Sequence, residues 1–171
     1  MTEIELGADR PGPALRPPAL RVSKRAIGYW AARAGFAWLV FFAVGVIVLL
    51  ANGEPEWVVV SLVVAAVVAA VHLLVMPQWR YRVHRWETTD EAVYTQTGWF
   101  TQERRIAPIS RIQTVDLHRG PIEQVFGLAN VTVTTASAAG PLKIHGLDRT
   151  LAEKLVHELT TVTQATPGDA T

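Results

Sequence analysis

The sequence has no cysteine, no excess of charge of one sign and, over about forty residues, almost no charge at all. The absence of cysteine excludes a disulfide framework and a thiolate metal site, and it suits a reducing cytoplasm. Sixteen Lys and Arg residues against fifteen Asp and Glu give a net charge of +1. A nucleic-acid-binding domain of this size normally has a strong basic excess, so no nucleic-acid partner is expected.

The nearly uncharged region contains two apolar runs, residues 34–51 and 57–76, separated by an acidic elbow at 52–56. Each run would rise about 27 to 30 Å as a helix, which is enough to cross a bilayer. A buried helix of a soluble protein is the alternative, but such a helix usually has a shorter apolar run and a polar stripe. A cleaved signal peptide fits less well because a long polar segment precedes the first run. Two transmembrane helices are therefore predicted.

The charges flanking these runs predict the orientation, because Lys and Arg are retained on the cytoplasmic side. The charged residues of the elbow are both acidic, Glu54 and Glu56. We expect a multi-pass protein of the cell membrane, integral to the lipid bilayer, with both termini cytoplasmic. Three tryptophans near the predicted boundaries are expected to be interfacial anchors: Trp30, Trp57 and Trp79. The basic residues of the two flanks are Arg10, Arg16, Arg21, Lys24, Arg25 and Arg33 before the first run, and Arg80, Arg82 and Arg85 after the second.

The composition divides the rest of the chain. Residues 1–22 are rich in Pro and Arg and are predicted to be a disordered tail, as are residues 163–171. Residues 23–79 form the membrane unit, in which 23–33 is expected to lie along the headgroups before the first span. Residues 80–162 are long enough for one small domain.

Period-two alternation predicts a mainly-β domain. The predicted strands are 81–87, 92–97, 99–106, 112–119, 130–136 and 142–145, with a one-turn helix or loop at 121–126. A helix at 150–162 follows, with a capping box of Thr150 and Glu153. Its predicted apolar face consists of Leu151, Leu155, Leu159 and Val162. Ile112, Val131 and Val133 are predicted core residues.

Three segments carry a resemblance to a known family: GWFTQERRIAPISRIQTVDL from Gly98, GPIEQVFGLANVTVTTA from Gly120, and GLDRTLAEKL from Gly146. They resemble the YdbS-like bacterial pleckstrin-homology (PH) family. The resemblance covers roughly residues 23–162 and implies two transmembrane helices before the domain. It also implies a partly open seven-stranded barrel capped by a C-terminal helix, and no catalytic residues. The alternation itself predicts six strands.

No catalytic, cofactor or metal motif is evident, so no enzyme is expected. Ser110, Asp116 and His118 are the residue types of a nucleophile triad, but the chain has no G-x-S-x-G elbow. The histidines lack the spacing of metal ligands. His72, inside a span, suggests a transport role, but no second buried ionisable residue accompanies it.

Two sets of residues are candidates for binding. Arg104, Arg105, Arg111 and Arg119 could contact anionic lipid headgroups, although arginine on an exposed strand edge also prevents aggregation. Ser61, Ala65 and Ala69 recur every four residues and form a small-residue strip that permits close helix packing. This strip could pack within the hairpin, against the surfaces that Ala43 and Gly45 leave, or between two copies.

The sequence thus predicts a non-enzymatic integral membrane protein. Its PH-like domain would be presented at the cytoplasmic face for protein-partner binding or assembly. Anionic-lipid headgroup sensing is the alternative, and a transporter or enzyme subunit is a further one. A basic groove on the domain would favour lipid, and an exposed apolar groove would favour protein.

Overall fold

A computed structural model describes residues 17–52, 56–98, 101–136 and 140–165. The strands are β1 Leu20–Arg21, β2 Arg85–Thr88, β3 Ala92–Thr97, β4 Glu103–Pro108, β5 Ile112–His118, β6 Leu128–Thr135 and β7 Leu142–Asp148. The helices are α1 Arg25–Asn52, α2 Glu56–Val83, α3 Pro121–Val125 and α4 Arg149–Ala165, with a 3₁₀ turn at Ile109–Arg111.

Helices α1 and α2 pack side by side as a hairpin. In the most apolar stretch of α1 no residue is buried, and in the corresponding stretch of α2 only 11% of the residues are buried. Large apolar side chains therefore point outward around the hairpin, among them Phe36, Leu50 and Trp57. A soluble protein could not leave this much contiguous apolar surface exposed to water, so the buried-helix alternative fails. The two predicted transmembrane helices are confirmed.

The β-strands form two antiparallel sheets, one in the order β1-β2-β3-β4 and the other in the order β5-β6-β7. The sheets face each other around a single core, and α4 packs on the second sheet. Val131 and Val133 are fully buried in this core, and Ile112 packs at its edge. The mainly-β PH-like domain with a C-terminal helix is confirmed, but the sheets do not close into a barrel.

The segment before the hairpin is part of this core, contrary to two predictions. Leu20 and Arg21 pair with Trp86 and Arg85 of β2 and supply the seventh strand, so the predicted disordered tail is wrong at these residues. Val22 is buried beside them, whereas residues 1–16 lie outside the described part of the chain.

The first two turns of α1 continue this packing, because Ala26, Tyr29 and Trp30 all lie in the core. Trp30 is only 3% exposed, so it is a core residue and not an interfacial anchor. Trp57 and Trp79 are exposed near the boundaries, as an anchor would be.

Gly146 makes this docking possible. Its φ of +73° is a left-handed conformation that glycine adopts without strain, and a Cβ there would lie 3.0 Å from the Ala26 Cβ. The Gly146 carbonyl accepts a hydrogen bond from the Ser23 amide at 2.9 Å. Nearby, the Tyr29 hydroxyl donates to the Glu123 carboxylate at 2.8 Å. The headgroup-lying helix predicted at 23–33 is thus the start of α1 docked on the domain.

Two local boundaries also differ from the predictions. Helix α2 continues past Pro77 to Val83, so the strand predicted from residue 81 begins at Arg85. The alternation in residues 81–87 fits both a strand and a helix end, and in the structure the buried Val83 is the last residue of the helix.

The start of α4 also differs from its prediction, in the residues that cap the helix. Asp148 Oδ1 accepts the Thr150 amide at 3.2 Å, while Glu153 pairs with Arg149 at 2.7 Å. The predicted capping box of Thr150 and Glu153 is therefore wrong. On the predicted apolar face of α4, Leu155 and Leu159 are buried, whereas Leu151 and Val162 are exposed.

Candidate functional site

A cavity of about 600 Å³ lies where the domain end of α2 meets the two sheets. Helix α2 contributes Met76 and Arg80 to its wall, and His84 follows the helix directly. Most of the remaining wall comes from strands β3, β4 and β7, with Gly98 and Pro141 beside them. Met76 ends the predicted span, so the cavity begins at the predicted membrane boundary.

The cavity is basic. Among the described residues, three basic side chains line it, Arg80, Arg105 and Lys143, against a single carboxylate, Glu103. Two histidines, His84 and His145, complete the ionisable lining. This excess of positive charge is local, because the chain as a whole is nearly neutral.

Helical spacing positions the α2 contribution, because residues four apart lie on one face of a helix. The Arg80 guanidinium carbon lies 4.7 Å from the centre of the Trp30 ring, a cation–π contact. The His84 ring lies 5.2 Å from the same indole and donates from Nδ1 to the Arg80 carbonyl at 2.8 Å. This bond leaves Nε2 of the neutral imidazole as an acceptor.

Both histidines are held neutral at physiological pH. Burial, followed by the charge of Arg80, lowers the pKa of His84 to about 4. Burial also lowers the pKa of His145, with further contributions from Arg80 and Lys143. An anion in the cavity would oppose these charges and raise both pKa values.

Strand geometry positions the other cations. Lys143 and His145 are two residues apart on β7 and so share a face. Arg105 donates to the carbonyls of Gly140 and Pro141 at 3.0 and 2.7 Å and pairs with Glu103 at 3.6 Å, which fixes the rim of the cavity. Lys143 is exposed, and within the described ranges its ammonium has no hydrogen-bond or ion-pair partner.

This arrangement suits anion binding. A phosphate-sized group would meet the donors of Arg80 and Lys143, and neutral His84 would accept from a hydroxyl beside the phosphate. In the part of the chain that the structure describes, no three His, Asp or Glu side chains converge in a way that could hold a metal ion.

The structure separates the four arginines that the sequence singled out. Only Arg105 reaches the cavity. Arg104 donates to the Gln96 side chain at 3.1 Å, and Arg119 donates to the Leu128 carbonyl at 3.2 Å. Arg111 ends the 3₁₀ turn and is exposed. Headgroup contact by these arginines stays a prediction, but they do not form one site.

The residues of the small-residue strip on α2 differ in burial. Ala69 is buried, Ala65 is half-buried and Ser61 is exposed, with its hydroxyl donating to the Val58 carbonyl at 2.8 Å. The hairpin is closely packed nearby, since a Cβ at Gly45 would lie 2.5 Å from a Leu62 methyl. Packing within the hairpin thus accounts for Ala69, and self-association stays a prediction.

Sequence reasoning missed most of the cavity, because its residues come from elements far apart in the chain. One signal was available: His72, Met76, Arg80 and His84 recur every four residues and mark one face of a helix that leaves the membrane. That signal required α2 to continue past Pro77, whereas a strand was predicted there.

Comparison with known proteins agrees with this architecture. A family model described as bacterial PH domain matches residues 33–162. The chain is 29% identical over 122 residues to the transmembrane protein YdbS of Bacillus subtilis (strain 168), covering 67% of this chain and 72% of that protein. No solved structure matches the chain. Two membrane-spanning helices followed by this domain place the chain in the bacterial PH domain family.

Proposed function

We propose that this protein is a non-enzymatic membrane protein whose PH-like domain recognises the phosphate of an anionic lipid headgroup in the basic cavity. The observation that carries this proposal is the excess of cations in a cavity beside the end of the predicted α2 span. A basic cavity favours the lipid alternative over the protein-partner hypothesis.

The location strengthens the electrostatic argument. A basic side chain near an anionic membrane surface contributes about 1 kcal/mol to binding, and this falls off within a Debye length of about 8 to 10 Å. Arg80 lies four residues beyond Met76, about 6 Å along the helix. It therefore lies within reach of lipid phosphates without any movement of the domain.

A thermal shift measurement on the full-length chain in mild detergent tests this function. Short-chain phosphatidylglycerol should raise the melting temperature, whereas short-chain phosphatidylcholine should not. Lys143→Gln should weaken phosphatidylglycerol binding about fivefold, the equivalent of about 1 kcal/mol. The matched control is Lys154→Gln, which removes the same charge from the exposed face of α4 and should change nothing. Equal effects of the two variants would contradict a specific site.

Orientation is part of the proposal, which places both termini and the domain in the cytoplasm of the cell. Residues 19–30 dock on the domain, which follows the second helix, so both ends of the hairpin must lie on the same side of the membrane. This supports the part of the proposal that puts the two termini on one side. Single cysteines at Gly53 and Gly140, in a chain that has none, should label oppositely with an impermeant thiol reagent in intact cells. Labelling at Gly140 but not at Gly53 would reverse the topology.

Protein binding is the second candidate, and an apolar surface on α3 favours it. Val125 is 84% exposed and Ile122 is about half exposed, beside a shallow groove next to Gly28 and Phe126. Affinity capture from membranes tests protein binding. It compares the intact chain with a chain that lacks residues 80–171 and with the variant Val125→Glu. A partner bound through α3 should be captured by the intact chain alone.

A further inference from the structure

A second cavity of about 600 Å³ lies between α1 and α2 within the spans. Its lining is almost entirely apolar and includes Ala37 and Phe41 of α1 with Ala65 and Val68 of α2. On α2 it runs from Ser61 to His72, eleven residues or about 16 Å. The predicted span 57–76 centres near residue 66, so the groove crosses the middle of the bilayer, and its His72 end lies about 6 Å inside the boundary at Met76.

This apolar groove leads toward the basic cavity. His72 lines the groove and Met76, one helical turn later, lines the cavity. On α1 the pattern repeats, since Trp38 contacts His72 while Trp30, two turns earlier, contacts Arg80 and His84. Both spaces thus follow the same seam of the hairpin, one inside the membrane and the other just outside it.

A polar pair lies at the junction. The Trp38 indole N–H donates to Nδ1 of His72 at 3.0 Å, so the neutral imidazole has its proton on Nε2. Within the described ranges, His72 makes no second hydrogen bond. An unsatisfied donor in hydrocarbon is costly, and this one lies about one turn inside the membrane boundary. Glycerolipid ester carbonyls lie at the edge of the hydrocarbon, one helical turn from His72, and one that lies against the seam would accept the bond.

We propose that the groove and the basic cavity together form one binding site for a single anionic glycerophospholipid, with an acyl chain along the α1–α2 seam. The headgroup phosphate lies in the cavity, and an ester carbonyl accepts from His72. The headgroup part of this inference rests on the proposed function, whereas the acyl and ester parts are additional. The occupant is therefore a whole lipid, not a soluble phosphate compound.

Native mass spectrometry of the full-length chain, purified in mild detergent and mixed with long-chain phosphatidylglycerol, tests the acyl part. Ala37→Phe fills the groove from an exposed position and should reduce retained lipid about tenfold, the loss expected when two or more methylene groups lose their packing. Ala43→Phe, an exposed alanine on the same helix outside the groove, should retain lipid as the parent does. Equal retention by these two variants would overturn the acyl groove.

Soluble glycerol 3-phosphate separates this inference from the proposed function. Its binding should be weakened by Lys143→Gln and unaffected by Ala37→Phe. If Lys143→Gln changes the binding of neither ligand, the proposed function fails. If it weakens both ligands while Ala37→Phe has no effect on lipid, only the whole-lipid inference fails.

The ester contact has its own test, because diether phosphatidylglycerol has no ester carbonyl. The parent chain should retain the diester form more strongly than the diether form. His72→Phe, which keeps a ring of similar size without a donor, should abolish that preference. A parent chain that retains both forms equally would overturn the role of His72.

Discussion

Acidification should destabilise the domain through His84. This side chain is 4% exposed, and its Nδ1 proton is held by the Arg80 carbonyl. Burial and the Arg80 charge lower its pKa to about 4 from the ordinary value of 6.5. The groups that line the cavity with it are mostly cationic or neutral, with Glu103 as the exception.

The direction of this pH effect follows from the number of protons that the folded and unfolded states bind. Between pH 6.5 and pH 4 the unfolded chain binds a proton at residue 84 and the folded chain does not, so the free energy of unfolding falls as the pH falls. The contribution of the neutral, buried His84 to the free energy of unfolding is fully present above pH 6.5. At about 1.4 kcal/mol per pH unit, about 3 kcal/mol is lost between pH 7 and pH 4. The lowered pKa of His145 adds loss in the same direction.

The variant His84→Asn isolates this contribution, because the asparagine amide can still donate to the Arg80 carbonyl but does not titrate. Denaturant unfolding of the delipidated full-length chain in detergent micelles, followed by tryptophan fluorescence, should show a smaller loss of stability at low pH for this variant. His157→Asn, on an exposed face of α4, serves as the control. Parallel pH profiles for His84→Asn and the parent would refute the reasoning. Added anionic lipid should also reduce the pH dependence of the parent, because a bound phosphate raises the pKa of His84.

Three further changes test the core and the hairpin. Val133→Asp places an unpaired charge at a fully buried position of β6 and should cost at least about 3 kcal/mol, measured as a loss of thermal stability; a parental melting temperature would show that the strand register is wrong. Gly45→Leu should lower the melting temperature of the hairpin, since even a Cβ there would lie 2.5 Å from a Leu62 methyl, and an unchanged value would contradict that close packing. If copies associate through the α2 strip, Ala65→Leu with Ala69→Leu should abolish crosslinked dimers without changing topology, whereas unchanged crosslinking would exclude the strip.

The features predicted correctly from the sequence are those encoded locally. Transmembrane spans follow from composition over about 20 residues, and strands β3, β5 and β6 follow from alternation over six to eight. Strand β1 could not be found in this way. It has only two residues, and its partner Trp86 lies 66 positions along the chain, beyond the whole hairpin.

The basic, partly apolar segment at 23–33 illustrates a second limit. The same pattern suits a helix on lipid headgroups and a helix that buries its apolar face on a protein domain. Only the folded domain, with Gly146 opposite Ala26, decides between them. The cavity shows the same limit, because arginines adjacent in sequence alternate across a strand, whereas Arg80 and Lys143 converge from distant elements.

The docking of both ends of the hairpin has a consequence for how the domain can act. Only His84 separates the end of α2 from β2, and the start of α1 lies in the domain core. In the part of the chain that the structure describes, no flexible linker separates the hairpin from the domain, so the cavity keeps a fixed position relative to the hairpin. The proposed lipid site would then meet lipid at a high effective concentration, so modest intrinsic affinity would be enough for occupancy. Under this proposal, selectivity among lipids would depend on the charge of the cavity and the shape of the seam, which are the two properties that Lys143→Gln and Ala37→Phe change separately.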